Sequence, residues 1–295
     1  MSHQHSNLRG IVYMLLATGC FLINDSLLKL AMANVQPLEA LFLRAAIAVI
    51  LGLPVLAATG VLARAPMMFR PSVVARNFFE LAAAAGYIFA IANAPLADIT
   101  ALAQLTPMLV MLGAVVFFGD KVGGAAASLI VVAFIGAVLV AQPSGSGFQP
   151  FALLGLWSAL GCAIRDLIGR RVSADVPALV VAVGASAVSL LGIGVLMLMF
   201  EEWVMPGPVE LLLIAGSSAM LTLGQLLLFS AYRVAETRVV APFFYAGTLW
   251  ALIIGALVFG TIPNTLALAG IALILASGVL VVVLERRSRQ VPVPV

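Results

Sequence analysis

Charge is scarce in this chain. Asp, Glu, Lys and Arg make up 9% of its 295 residues, against about 25% in a soluble domain, which excludes a soluble globular fold. Histidine is nearly absent: the two copies, His3 and His5, sit on the polar stretch MSHQHSNLRG and read as solvated side chains. No histidine base or ligand is therefore available inside the apolar stretches. The two cysteines, Cys20 and Cys162, lie in apolar stretches with no CxxC or His/Cys cluster, so neither a disulfide framework nor a zinc or other metal site is expected. Walker A, HExxH and GxSxG patterns are all missing, which argues against ATP hydrolysis and against an intramembrane enzyme. No cofactor is expected. No polar stretch is long enough for a separate soluble domain. The net charge of +3 belongs to the loops and gives no reason to expect a nucleic-acid partner.

What the chain has is apolar length. Hydrophobic residues are 63% of it, enough for ten stretches of about 20 residues. The expected spans are 11–32, 38–60, 72–93, 99–119, 122–141, 152–169, 177–200, 209–232, 239–260 and 265–284. The stretch after the N-terminal polar residues lacks a convincing cleavage site and reads as a retained helix. Basic residues mark every second gap and both ends: Arg9; Arg64, Arg70 and Arg76; Lys121; Arg170 and Arg171; Arg233 and Arg238; Arg286, Arg287 and Arg289. The opposite gaps carry acids or neutral residues only. By the positive-inside rule the first side is cytoplasmic. The expectation is an all-α membrane protein with both termini in the cytoplasm of a bacterial-type inner membrane and the lipid bilayer as its surroundings.

The halves on either side of the linker-like segment PSGSGFQP, 143–150, resemble each other at an offset of about 140. GCFLINDSLLK at 19–29 parallels GCAIRDLIGR at 161–170. AIANAPLADITALA parallels LFSAYRVAETRVVA, VVFFGD parallels ALVFGT, and IGAVLV parallels SGVLVV. This aligns Asp98 with Glu236 and Tyr87 with Gln225. The expected organisation is a five-helix repeat at 1–142, a linker at 143–151 and a second five-helix repeat at 152–295. Five is odd, so the halves cross the membrane in opposite senses, the inverted plan of many secondary transporters.

The run YIFAIANAPLADITALAQLTPMLVMLGAVVFFGDKV, 87–122, resembles the EamA-type transporters of the drug/metabolite transporter superfamily. The resemblance lies in an aromatic–Ala run, a Pro-Leu-Ala-Asp turn and a proline in the fourth helix. The ten-helix arrangement is similar to that of YddG-type amino-acid exporters. Two departures stand out: Asp120 occupies a position where the family usually has Glu, and Thr261 replaces the acid of the second half. The resemblance implies a secondary transporter exporting small metabolites, with aromatic or hydrophobic amino acids foremost. Other metabolites, drugs and nucleotide sugars are the alternatives within the family. A channel or scaffold remains a third class, separated by saturable, stereoselective flux.

Ionisable groups inside the spans are costly and usually face a cavity or a partner. Asp25 and Lys29, four apart, can pair on one helix face. Arg165 and Asp166 are adjacent and are expected to need partners elsewhere. Arg44 and Glu80 have no partner readable from the sequence. Structural ion pairs and cavity groups are both open for these residues, and Arg165 is close enough to a helix end to snorkel. Asn77, Glu80, Ala84 and Tyr87 share a helical face, as do Thr222, Gln225 and Phe229, and Trp157, Gly161 and Arg165. Either packing or an aromatic-walled cavity accounts for these stripes. Read as a cavity, the substrate-binding candidates are Glu80, Tyr87, Trp157, Arg165, Gln225, Tyr245 and Trp250, with Glu80 and Arg165 as partners for a zwitterion. Pro107, well inside the fourth span, is expected to kink it. Pro242 sits near the start of the ninth, and both are hinge candidates. Asp98 and Glu236 are gates or caps of the helices that follow them. Proton coupling through Glu80 or Asp25 and facilitated diffusion are both compatible with these residues. A complete internal repeat makes a monomer the preferred state.

Overall fold

The computed structural model describes residues 2–119, 123–141, 150–173, 175–235 and 240–288. Among them all regular structure is helical: α1 (Ser2–Ala31), α2 (Pro37–Ala58), α3 (Pro71–Asn93), α4 (Leu96–Ala103), α5 (Thr106–Phe118), α6 (Gly124–Ala141), α7 (Ala152–Gly169), α8 (Ala178–Phe200), α9 (Pro208–Val234), α10 (Ala246–Phe259) and α11 (Thr265–Ser288). Short 3-10 turns cover Leu62–Phe69 and Ala241–Tyr245. Among the described residues eight helical segments are long and apolar enough to cross a bilayer, counting Leu96–Phe118 as one. Two shorter apolar helices, Ala127–Ala141 and Phe243–Phe259, accompany them. Large apolar side chains such as Leu198, Phe200, Leu257 and Phe117 stand exposed on the outer faces. That pattern suits lipid and would be a liability in water.

The fourth expected span is not one kinked helix. It is broken at Gln104–Leu105 into α4 and α5, and Pro107 lies in the first turn of α5. There its missing N–H removes no helical bond. The break is closed by tight turns, Leu105 N to Leu102 O at 3.0 Å and Met108 N to Leu105 O at 3.0 Å. Pro242 likewise falls in the first turn of the 3-10 segment that leads into α10.

α5 and α10 both end on a glycine in the left-handed region, Gly119 at φ 70° and Gly260 at φ 62°. A side chain would strain the backbone at these C-caps. They are the equivalent glycines of VVFFGD and ALVFGT. Helix pairs α1 with α9, α3 with α7, α2 with α8 and α6 with α11 form the main interfaces. At the last of these the backbones nearly touch: a Cβ on Gly270 would lie 2.4 Å from Gly136 O, and one on Gly136 would lie 2.7 Å from Gly270 O. Small residues allow such approach, which suits van der Waals packing in lipid. At one end of the bundle Glu201 accepts hydrogen bonds from the backbone N–H groups of Leu38 and Glu39, each 3.0 Å. An acid from the end of α8 thus satisfies orphan donors at the start of α2.

Candidate functional site

Between the helices lies a cavity of about 1220 Å³, walled by residues of α1, α2, α3, α4, α5, α6, α7, α10 and α11. Its deep part includes Thr18, Phe21, Arg44, Tyr87, Thr100 and Gln104. From there it runs to Gly123, Arg170 and Leu284, at the ends of α6, α7 and α11 on the arginine-rich side. Towards the opposite end the chain is packed shut. Ile91, Leu96, Ile99, Leu102 and Leu105 are completely buried.

Lys29 helps to hold that closed end. Its ammonium donates to the carbonyls of Ile91 and of Ala94, 2.7 Å to the latter, and lies 5.4 Å from the centre of the Phe259 ring. Those carbonyls end α3, where a cation is favoured by the helix dipole. Asp25 and Lys29 therefore do not pair with each other. Asp25 Oδ2 accepts from the Tyr87 hydroxyl at 2.8 Å, and Oδ1 accepts from Asn24 Nδ2 at 2.8 Å. Their shared helix face is opposite α3, and each finds a better partner across the gap than along the helix.

Glu80 lines the cavity as the centre of an ionic cluster. Arg165 Nη1 reaches both its oxygens, at 3.0 and 3.1 Å, and Arg76 Nη2 bonds Oε2 at 2.9 Å. Arg165 Nε also bonds the neighbouring Asp166 at 2.8 Å. Arg165 thus finds the expected partner on another helix, and its side chain also reaches its sequence neighbour. Arg165 does not snorkel away from the bundle, because Glu80 on α3 holds it. Arg44 is different. It lines the same cavity with Asp25, Glu80 and Tyr87 as its charged and polar neighbours, yet its guanidinium makes no hydrogen bond or ion pair among the described residues.

Of the other expected site residues, Tyr245 is buried and lines the cavity. Its ring occupies the space that Gly278 leaves, since a Cβ there would lie 2.2 Å from the ring. Trp157, Gln225 and Trp250 are not among the lining residues. Trp157 is half exposed and lies over Gly86, with Nε1 donating to Ala82 O at 3.2 Å. Trp250 packs over Gly19. Gln225 follows Gly224, whose buried face rides on Phe21, and is exposed between the exposed Leu223 and Leu226. Asp98 is buried in the first turn of α4, where an acid is favoured. Glu236 lies outside the described residues, as do Asp120 and the side chains of Phe229 and Pro242. Thr18, Phe21, Thr100 and Gln104 were not singled out from the sequence. A signal was present: Thr18, Leu22, Asp25 and Lys29 form one helical stripe, and Thr100 and Gln104 stand four apart.

Residues 8–142 match the EamA-like transporter family. The chain is 30% identical over 284 residues to the pseudopaline exporter CntI of Pseudomonas aeruginosa, covering 93% of each chain. It is 27% identical over 282 residues to a riboflavin transporter of Vibrio cholerae, covering 94% of each. One crystal structure of another protein superposes with a TM-score of 0.64 at 21% identity, over 97% of this chain and 99% of its own, a likeness of fold.

Proposed function

The chain belongs to the EamA-like transporter family, and on that premise we propose that it is a secondary transporter exporting small metabolites, aromatic or hydrophobic amino acids foremost, by alternating access. The observation that carries this reading is the cavity. It joins charged anchors to aromatic walls, reaches one end of the bundle and is shut at the other. A carrier needs such a one-sided opening, whereas a channel needs a continuous path. The relatives named above are an exporter of pseudopaline and a transporter of riboflavin.

We read the chain as ten membrane crossings in two five-helix inverted repeats. The pairing of helices supports this. The first helix of each repeat, α1 or α7, packs on the third helix of the other, α9 or α3. The second helices, α2 and α8, pair with each other, as do the last, α6 and α11. A two-fold axis in the membrane plane generates this set of contacts. The breaks before α5 and α10 occupy equivalent positions and serve as the hinges. The arginine-rich end is cytoplasmic by charge bias, so the cavity is open inward and ready to load an export substrate. One chain supplies both repeats, and the working unit is a monomer in the inner membrane.

The test is uptake of labelled Phe, Trp, Met and Thr into proteoliposomes, with and without a pH gradient. Saturable uptake is expected, and its response to the gradient decides between proton coupling and facilitated diffusion. No flux of any of the four would overturn the amino-acid assignment.

A further inference from the structure

Resting on the reading of this cavity as a transport site, we propose that Arg44 is its carboxylate anchor: the guanidinium receives the carboxylate of a substrate whose apolar body lies against Phe21 and Phe244.

Besides Arg76 near the start of α3, which bonds Glu80, three cations lie within the apolar spans, and two of them are tied to partners. Lys29 gives its protons to the Ile91 and Ala94 carbonyls at the end of α3. Arg165 is engaged by both oxygens of Glu80 and by Asp166. Its charge is met by two carboxylates, and both oxygens of Glu80 are already bonded, Oε2 to Arg76 as well. Glu80 and Arg165, the partners expected for a zwitterion, are bonded to each other. Arg44 lines the same cavity, and among the described residues its guanidinium makes no hydrogen bond or ion pair.

An arginine presents five N–H donors in a planar fork that matches a carboxylate. Held in a membrane span without a partner, it is expensive unless it meets water or an anion. Asp25 and Glu80 lie near enough to offset its charge, but their oxygens are bonded elsewhere, Asp25 to Tyr87 and Asn24. The backbone beneath Arg44 is pinned, because Ser218 Oγ on α9 donates to the Arg44 carbonyl at 3.2 Å. A carboxylate docking here replaces cavity water with paired, charge-assisted bonds. Phe21 on α1 and Phe244 before α10 wall the same cavity and offer apolar surface to the rest of the molecule.

The experiment compares binding of 3-phenylpropanoate and 3-phenylpropanamide to the purified full chain by calorimetry. The two probes differ only in the group that meets Arg44. The wild type should bind the carboxylate at least about tenfold more tightly, a margin of about 1.4 kcal/mol. Arg44→Gln should bring the two within about twofold. Arg44→Lys keeps the charge but loses the fork and should fall between, which preserves the test if the glutamine variant does not fold. Equal or absent binding in the wild type, or an unchanged ratio in either variant, overturns the anchor. Amino-acid flux is read separately. Flux with an unchanged ratio in Arg44→Gln leaves the carrier reading and removes the anchor. A ratio that collapses in a protein carrying none of the four amino acids leaves the anchor and removes that substrate assignment.

Discussion

Tyr87 on α3 donates its hydroxyl proton to Asp25 on α1 across 2.8 Å. The bond ties the first helix to the third at the deep end of the cavity, and Thr100 Oγ1 lies 3.4 Å from the same hydroxyl. Removing the donor takes the hydrogen bond from one oxygen of a largely buried carboxylate, a loss of about 1–3 kcal/mol. Tyr87→Phe should therefore lower the thermal unfolding midpoint in detergent. Asp25→Asn keeps an acceptor for the hydroxyl and should cost less. The double variant should cost less than the sum of the two, by about 0.5–3 kcal/mol of coupling. Strict additivity would mean that the bond contributes nothing.

Lys29 ties α1 to the closed end of α3 through the Ile91 and Ala94 carbonyls. Lys29→Met keeps the aliphatic stem and removes the three donors. We expect a loss of about 1–2 kcal/mol, the upper range for a partly buried cation at a helix C-terminus, with slowed or uncoupled flux because the closed end loses its tie. Lys29→Arg should recover much of both. An unfolding midpoint for Lys29→Met equal to that of the wild type would show the contact to be idle.

Eight of the expected spans were legible because each is a long apolar run bounded by proline, glycine or charge. The breaks before α5 and α10 were marked by Pro107 and Pro242, although a proline in the first turn of a new helix and a proline kinking an old one look the same in sequence. Partners were harder to read. Asp25 and Lys29 have the spacing of an intrahelical pair, and only the approach of α3 sends them apart. Trp157, Gln225 and Trp250 looked like cavity residues because aromatic and polar groups in a span suggest a site. Which way each faces depends on how a helix is rotated about its axis. That rotation is set by small contacts such as Gly86 beneath Trp157, Gly224 beside Phe21 and Gly19 beneath Trp250, which carry no directional signal in one sequence.

The α6–α11 interface gives a sharp steric prediction. A methyl group on Gly270 would stand 2.4 Å from the carbonyl oxygen of Gly136, and backbone cannot swing aside as a side chain can. Gly270→Ala should destabilise by about 1–3 kcal/mol or more, the range for overpacking. Gly86→Ala is the control. Its Cβ would meet the Trp157 side chain at 2.6 Å and the Leu154 carbonyl oxygen only at 3.3 Å, and the indole is half exposed and can shift. Its cost should be clearly smaller in the same unfolding assay. The reverse order would mean that the two helices separate freely.

Outside the spans, Arg70 and Asp175 join the start of α3 to the segment before α8 through bonds of 2.9 Å. The guanidinium, with help from the Ser173 hydroxyl, holds the Asp175 carboxyl down to about 2. The sign follows from linkage. A carboxyl whose folded pKa lies below its unfolded value, about 3.9, adds stability above that value and loses it as the pH falls towards the folded one. The gap in unfolding midpoint between wild type and Asp175→Asn should be full near neutrality, begin to shrink at about pH 5 and close at about pH 1. Both side chains are 41–50% exposed, so the gap should be small and should narrow further in concentrated salt. A gap that stays constant down to about pH 2 would assign the effect of the substitution to something other than the charge on Asp175.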